Sequence, residues 1–350
     1  MVFEEIYQGM DLEELERKLH NLTFQMDLSF TEILKKVYEG NGKGIFLMLW
    51  EKCKETLYIQ VEDIKNIFIT IVIIILISAV FSTFKDTFQN AQIAEISFYI
   101  NYLLLMIIFT NIFGNVLSMG EETLKNMEEF MRIFFPAFFL IVGSTAGIGT
   151  GIAYYQIAGG VIYLVEWCLG FLLLPAISAY MLFVIMNGIW EEEKLTLLLE
   201  LFQKGIRFLL KISLGVLTGA GMIQSMIIPI MDRVKGESIY KAVEAIPGIG
   251  DAIGGTAEVV LGTAVLIKNG IGLSGTIFCF ALCLVPLIQT GTIVLMYKLV
   301  AAVIQPVSDK RVIGCIESVS EGCRLLMKII FTTSLLFLIT IVIVTTLTSL

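Results

Sequence analysis

The charged residues that interrupt long apolar runs are the ones most able to do chemistry in this chain. Glu166 is flanked on both sides by uncharged runs. Asp251, Glu258 and Lys268 interrupt a glycine-rich stretch further along. An ionisable side chain within a membrane marks an ion or substrate path by default, whereas the same side chain at the membrane surface is simply solvated. Both interpretations stay open for these four residues, which form a candidate polar path.

Two basic motifs are the second set of candidate residues. Arg207 and Lys211 are four residues apart, which places both on one face of a helix. Arg324 and Lys328 repeat that spacing. Each pair stands at the entry to an apolar run, where basic side chains contact lipid phosphates and anchor a span. The alternative is a docking surface for a cytoplasmic partner.

The two basic motifs belong to an internal repeat. Residues 205–212 and 322–329 are identical at five of eight positions. Upstream, two pairs of prolines share a spacing of 39 residues: Pro136 and Pro175, then Pro247 and Pro286. Repeats of this kind are common in membrane transporters and predict two parallel copies of one membrane unit.

Composition defines the class of protein. Of 350 residues, 57% are hydrophobic and 16% are charged, against about 25% charged in a soluble domain. A formal net charge of −8 argues against nucleic acid as a partner. One His and six scattered Cys predict no metal site. The chain also lacks a phosphate loop, a Ser/His/Asp set and an HExxH motif, so we expect neither catalysis nor a cofactor.

The apolar runs predict an all-α integral membrane protein with about six transmembrane helices. A helix of about 20 residues spans the hydrocarbon core. The runs of suitable length are 67–84, 96–120, 167–190, 212–231, 269–297 and 329–350.

Glycine-rich segments predict additional broken or re-entrant elements. Residues 133–165 form an uncharged run that is too long for one comfortable span, and four glycines interrupt it. A re-entrant hairpin and a close helix–helix contact through small residues are both open interpretations. The residues expected to break or kink helices, or to line a conduit, are Gly143, Gly147, Gly149, Gly151, Pro175, Pro247, Gly248, Gly250 and Pro286.

Positive charge orients the predicted spans. The two connectors that carry the basic motifs are placed in the cytoplasm, which leaves the N-terminal segment outside. The predicted division is a helical extracytoplasmic domain at 1–65, two spans with an amphipathic linker at 66–132, and membrane repeats at 133–235 and 245–350.

Several stretches together resemble the stage III sporulation protein AE family. They are the segments 265–272 and 297–309, the segment 245–251 that reads AIPGIGD, and the glycine-rich segment 143–151. The likeness covers most of residues 130–350 and contains no catalytic signature.

The resemblance implies a role without catalysis. It implies a permease-like or platform component of a secretion-like channel between mother cell and forespore, in the mother-cell membrane that surrounds the forespore. The implied partners are other stage III sporulation proteins, which include a cytoplasmic ATPase and ring-forming membrane proteins, and a forespore-side channel protein. Membrane lipid and other copies of the chain are further candidate partners. The alternative function is a stand-alone secondary transporter for a small molecule or ion, because parallel repeats with broken helices suit one.

Overall fold

A computed structural model shows the described part of the chain as a bundle of long helices. It describes residues 16, 17, 19, 29–88, 91–146, 159–160, 163–164, 167–189, 194–216, 219, 250–306 and 310–347. Within these ranges the chain forms helices and turns, without a strand. The helices used below are α1 (Phe30–Tyr38), α2 (Gly42–Phe88), α3 (Ala91–Ala146), α4 (Leu174–Ile189), α5 (196–216), α6 (Gly250–Ile304) and α7 (Lys310–Leu347).

The described residues contain four helical segments that are long and apolar enough to cross a membrane. They are Tyr99–Pro136, Phe171–Ile189, Leu266–Ile304 and Lys310–Val342. Each overlaps one predicted span, so the prediction of an α-helical membrane protein is confirmed. The run 67–84 lies inside α2, and the run 212–231 continues past the described end of α5. The total of six spans therefore stays a prediction.

Helix α6 is the centre of the bundle. It packs against α1, α2, α3 and α7, and α7 also contacts α3 and α4. Aromatic rings fill the contact between α3 and α6, where Phe130 and Phe278 have ring centroids 5.2 Å apart. Burial of such side chains supplies the packing that lets long helices associate in the absence of a strong hydrophobic effect in lipid.

The short helix α1 is packed into this same core. Phe30 is buried against the rings of Phe134 and Phe278. The Tyr38 hydroxyl donates a 3.0 Å hydrogen bond to the backbone carbonyl of Ile267. Burial raises the pKa of Tyr38 to about 12, so the hydroxyl keeps its proton and this bond throughout the physiological range. The described end of the N-terminal segment is thus fastened to α6.

The predicted domain boundaries at 65 and 132 fall inside continuous helices. Helix α2 runs through the first boundary and α3 through the second. Apolar run lengths report membrane thickness, whereas a helix ends only where capping or packing ends it. The division into domains stays a prediction.

The helix breaks expected at the two glycine-rich segments stay predictions, because the structure describes only part of each segment. The chain is helical at Gly143, and α3 ends three residues later. Gly250 begins α6, which then runs unbroken through the glycine-rich stretch to Ile304. A single glycine costs a helix only about 1 kcal/mol relative to alanine, and tertiary packing readily outweighs that cost. The re-entrant hairpins themselves depend on residues outside the described ranges.

Both prolines expected to kink helices lie in helical surroundings. A π-helical segment, Cys168–Leu173, directly precedes α4, whose second residue is Pro175. Proline offers no N–H to the carbonyl four residues earlier, and a π turn is one way for the backbone to adjust. Pro286 is buried within α6, which remains helical on both sides. The kink angles stay predictions.

We expect Gly275→Ala to destabilise the bundle by about 1–3 kcal/mol, because α6 approaches α3 very closely at this point. A Cβ at Gly275 would lie 2.2 Å from Cζ of the buried Phe134 ring. The matched control on the same helix is Gly291→Ala, where the nearest atom, Met327 Sδ, is 3.7 Å away. Thermal unfolding in detergent should show a loss for the first variant and none for the second. Equal stability of the two variants would contradict the close packing described here.

Candidate functional site

The two basic motifs meet around one carboxylate. Arg207 of α5 and Arg324 of α7 both donate through Nη2 to the carboxylate oxygens of Glu321, one to each oxygen. The Glu321 side chain is only 14% exposed. Residues 114 positions apart in sequence are therefore joined by a charge-assisted pair, which is stronger than a neutral hydrogen bond.

Helix α4 holds the two helices that carry the arginines. The Tyr180 hydroxyl donates to the backbone carbonyl of Ser318 at 3.1 Å and accepts from Nε2 of Gln203 at 3.0 Å. The rings of Phe183 and Phe202 pack 5.5 Å apart between α4 and α5. One buried tyrosine thus ties α4, α5 and α7 together beside Glu321.

The two lysines of the motifs are placed differently from the arginines. Lys328 is half-buried and lies within electrostatic range of Arg207, Arg324 and Glu321. Lys211 is exposed. The cluster of Arg207, Arg324, Lys328 and Glu321 is called the arginine cluster below, and its formal charge is +2 because three cations surround one carboxylate.

Two open cavities border the arginine cluster. One has a volume of about 360 Å³ and lies between α4, α5 and α7, with Asn187, Gln203 and Arg311 in its wall. The other has a volume of about 350 Å³ and lies between α6 and α7, with Lys298 in its wall. Glu321 lines both cavities, so the pair it makes with the arginines stands at their common border.

Lys268 is the other predicted residue with unusual surroundings. Its side chain is fully buried, and its Nζ has no hydrogen-bond partner. It lies within the span Leu266–Ile304. Gly272 and Gly275, about one and two turns further, share its face of α6 and contact Thr345 of α7 and Phe134 of α3. Lys268 therefore points toward the junction of three helices.

The structure does not describe the side chains of the other residues in the predicted polar path. Glu166 lies outside the described residues, and the side chains of Asp251 and Glu258 are not described. Gly147, Gly149, Gly151, Pro247 and Gly248 also lie outside the described residues. The polar path and the glycine-lined conduit stay predictions.

Sequence reasoning found the basic motifs but missed Glu321, Tyr180 and Gln203. The spacing of three residues between Glu321 and Arg324 is a helix-face signal that points to half of the pair. No local signal connects Glu321 to Arg207 or Tyr180 to Gln203. Within the described ranges, no group of three or more His, Cys, Asp or Glu side chains is placed to hold a metal ion.

Comparison with known proteins gives the chain its family. The family model for stage III sporulation protein AE matches residues 28–348. A curated relative, stage III sporulation protein AE of Bacillus subtilis strain 168, is 20% identical over 278 residues, which cover 79% of this chain and 70% of the relative. No solved structure matches the chain. Because the family model extends over nearly the whole sequence and the relative covers most of the same region, the chain belongs to the stage III sporulation protein AE family.

Proposed function

We propose that the protein is a non-catalytic, permease-like or platform component of a secretion-like channel between mother cell and forespore, required for sporulation. The observation that carries this proposal is the family match over residues 28–348. Four helices able to cross a membrane support an integral location, which we assign to the mother-cell membrane around the forespore, with the N-terminal segment outside the cytoplasm. Its partners are a cytoplasmic ATPase, ring-forming membrane proteins and a forespore-side channel protein.

Exposed aromatic side chains near the start of α2 support a platform role. Phe46 and Trp50 are stacked with ring centroids 6.4 Å apart, and both are at least half exposed. Nζ of Lys54 lies 5.4 Å from the centre of the Trp50 ring. Trp, Tyr and Arg dominate the energetics of protein interfaces, and exposed aromatic surface favours association. We assign this surface to contact with another channel protein.

The proposal predicts co-purification with the channel proteins. The full chain is captured in mild detergent from cells that are engulfing the forespore, and its companions are identified by mass spectrometry. The expected result is recovery of the ring-forming proteins and the ATPase, reduced several-fold by Trp50→Ala because interface aromatics carry most of the binding energy. The control is Leu57→Ala, an exposed residue further along α2.

Two results would count against the channel proposal. One is recovery of an intact and abundant chain without companions. The other is an equal loss of co-purifying proteins with Trp50→Ala and Leu57→Ala. That result would show that the aromatic surface does not contact another channel protein.

Stand-alone secondary transport is the second candidate function, and Lys268 is the observation that favours it. A fully buried ammonium inside a span lowers stability. Ionisable residues inside a span are rare and usually mark an ion or substrate path. Reconstituted protein should then accumulate a solute under an ion gradient, and Lys268→Met, Asp251→Asn or Glu258→Gln should abolish the accumulation. If the intact protein shows no gradient-driven uptake, the transporter proposal fails and the channel proposal remains.

A further inference from the structure

The arginine cluster carries more positive charge than its own carboxylate neutralises. Arg207 and Arg324 share Glu321, and Lys328 lies close to all three. The surplus of two positive charges is partly buried, since the side chains of Arg207 and Arg324 are 41% and 37% exposed. Glu317 lines both bordering cavities and offsets part of this surplus, and a bound anion would offset the rest.

The cluster also holds hydrogen-bond donors that have no partner among the described residues. The Nε atoms of Arg207 and Arg324 are both buried and have no hydrogen-bond partner. A guanidinium presents five donors in a planar fork that matches a carboxylate or a phosphate. Glu321 accepts from Nη2 of each arginine, and Nη2 of Arg207 also donates to Oε1 of Gln203 at 3.4 Å, so the Nε donors of both guanidinium groups remain without a partner.

Exposed apolar side chains lie on both helices that carry the arginines. On α5, Leu201, Phe208 and Ile212 are exposed on a face that is turned about 120° around the helix from Arg207. On α7, Phe331 is exposed two turns beyond Arg324, about 10 Å further along the helix axis. Apolar side chains that face outward next to basic ones are typical of a helix lying at the membrane interface.

We propose that Arg207 and Arg324 bind the phosphate of an anionic phospholipid, with Lys328 adding charge and Glu321 holding the two guanidinium groups in place. The exposed apolar side chains on both helices favour a lipid over an acidic protein segment, because they would contact its acyl chains. This inference deepens the anchoring role proposed for the basic motifs. It concerns the purified chain, so it fails or succeeds independently of the channel partners.

The experiment measures lipid binding by the purified full chain in nanodiscs of phosphatidylcholine with and without phosphatidylglycerol. Bound lipid is counted by native mass spectrometry after release, and thermal unfolding is followed in parallel. The test variant is Arg207→Gln/Glu321→Gln/Arg324→Gln, which removes the arginine pair without leaving an unpaired carboxylate. Its reference is Glu321→Gln alone, which retains both arginines.

The expected result is a loss of about 25-fold in affinity for phosphatidylglycerol relative to Glu321→Gln, because the test variant loses charge-assisted hydrogen bonds to the phosphate in addition to surface charge. The control is Lys204→Gln/Lys310→Gln, which removes two exposed lysines from α5 and α7. This control should lose about fivefold or less in affinity for phosphatidylglycerol, because exposed charges act only through general, salt-screened electrostatics.

Three outcomes would overturn the proposal. The control could lose as much affinity as the test variant, which would indicate general electrostatics. Phosphatidylcholine could bind as tightly as phosphatidylglycerol. Inorganic phosphate or an acidic peptide could displace the lipid from the intact protein at low concentration, which would assign the site to a soluble anion or to a protein partner.

Discussion

Glu321→Ala is expected to lower the free energy of unfolding of the detergent-solubilised protein by about 2–3 kcal/mol. The change removes the only carboxylate in the arginine cluster and leaves Arg207 and Arg324 facing each other without it. Removing one partner of a fully buried pair costs about 3–5 kcal/mol. The expected loss is smaller here because both arginine side chains are more than a third exposed and solvent partly screens their charge.

The matched control for this prediction is Glu200→Ala. Glu200 pairs with Lys204 on the same helix α5 at 2.9 Å, but both side chains are exposed. Exposed pairs contribute about 0.2–1 kcal/mol, so this variant should unfold almost as the unaltered protein does. If Glu321→Ala costs no more than Glu200→Ala, the arginine cluster is not a structural contact between α5 and α7.

Glu321→Ala also tests whether a bound phospholipid contributes to the stability of the arginine cluster. A bound phosphate would take over the role of the lost carboxylate, because it also accepts hydrogen bonds from two guanidinium groups. Phosphatidylglycerol should therefore restore part of the stability that Glu321→Ala loses, whereas phosphatidylcholine should not.

The class of fold could be predicted from the sequence because the membrane imposes it. Apolar runs of about 20 residues in a chain with 16% charged residues are typical of membrane spans, and four of the predicted spans overlap helical segments able to cross a membrane. The ends of the helices could not be predicted in this way. Helix α3 has 56 residues, about 84 Å at 1.5 Å per residue, which greatly exceeds the thickness of a bilayer. Hydropathy marks the part inside the lipid and leaves the rest unmarked.

The candidate site could be predicted only in part. The motif residues Arg207 and Arg324 were identified because Arg and Lys are scarce in this chain and recur at one spacing. Their common partner Glu321 could not be found, since the pairing with Arg207 depends on how α5 packs beside α7. Lys268 was identified as a charge among glycines, but its complete burial follows from the close approach of α3 and α7 to α6 at Gly272 and Gly275.

Lys268→Met is expected to raise the free energy of unfolding by about 2–4 kcal/mol and to abolish sporulation. Methionine has nearly the same length and shape as lysine, so it fills the same space between α3, α6 and α7 without the cost of a buried group that lacks a partner. An ionisable residue that lowers stability at this depth is expected to act in transport or in a movement of the helices.

Two measurements on the same variant separate these effects. Thermal unfolding of the purified protein tests the energetic claim, and counts of heat-resistant spores test the functional one in cells that carry the variant as their sole copy. Lys298→Met is the control for stability, because Lys298 is exposed on the same helix and should change the free energy of unfolding by little. A stability no higher than that of the unaltered protein would show that Lys268 gains a partner in solution that the packed bundle does not provide. Normal spore counts would show that its ammonium has no part in sporulation, and the transporter proposal would then lose the observation that favours it.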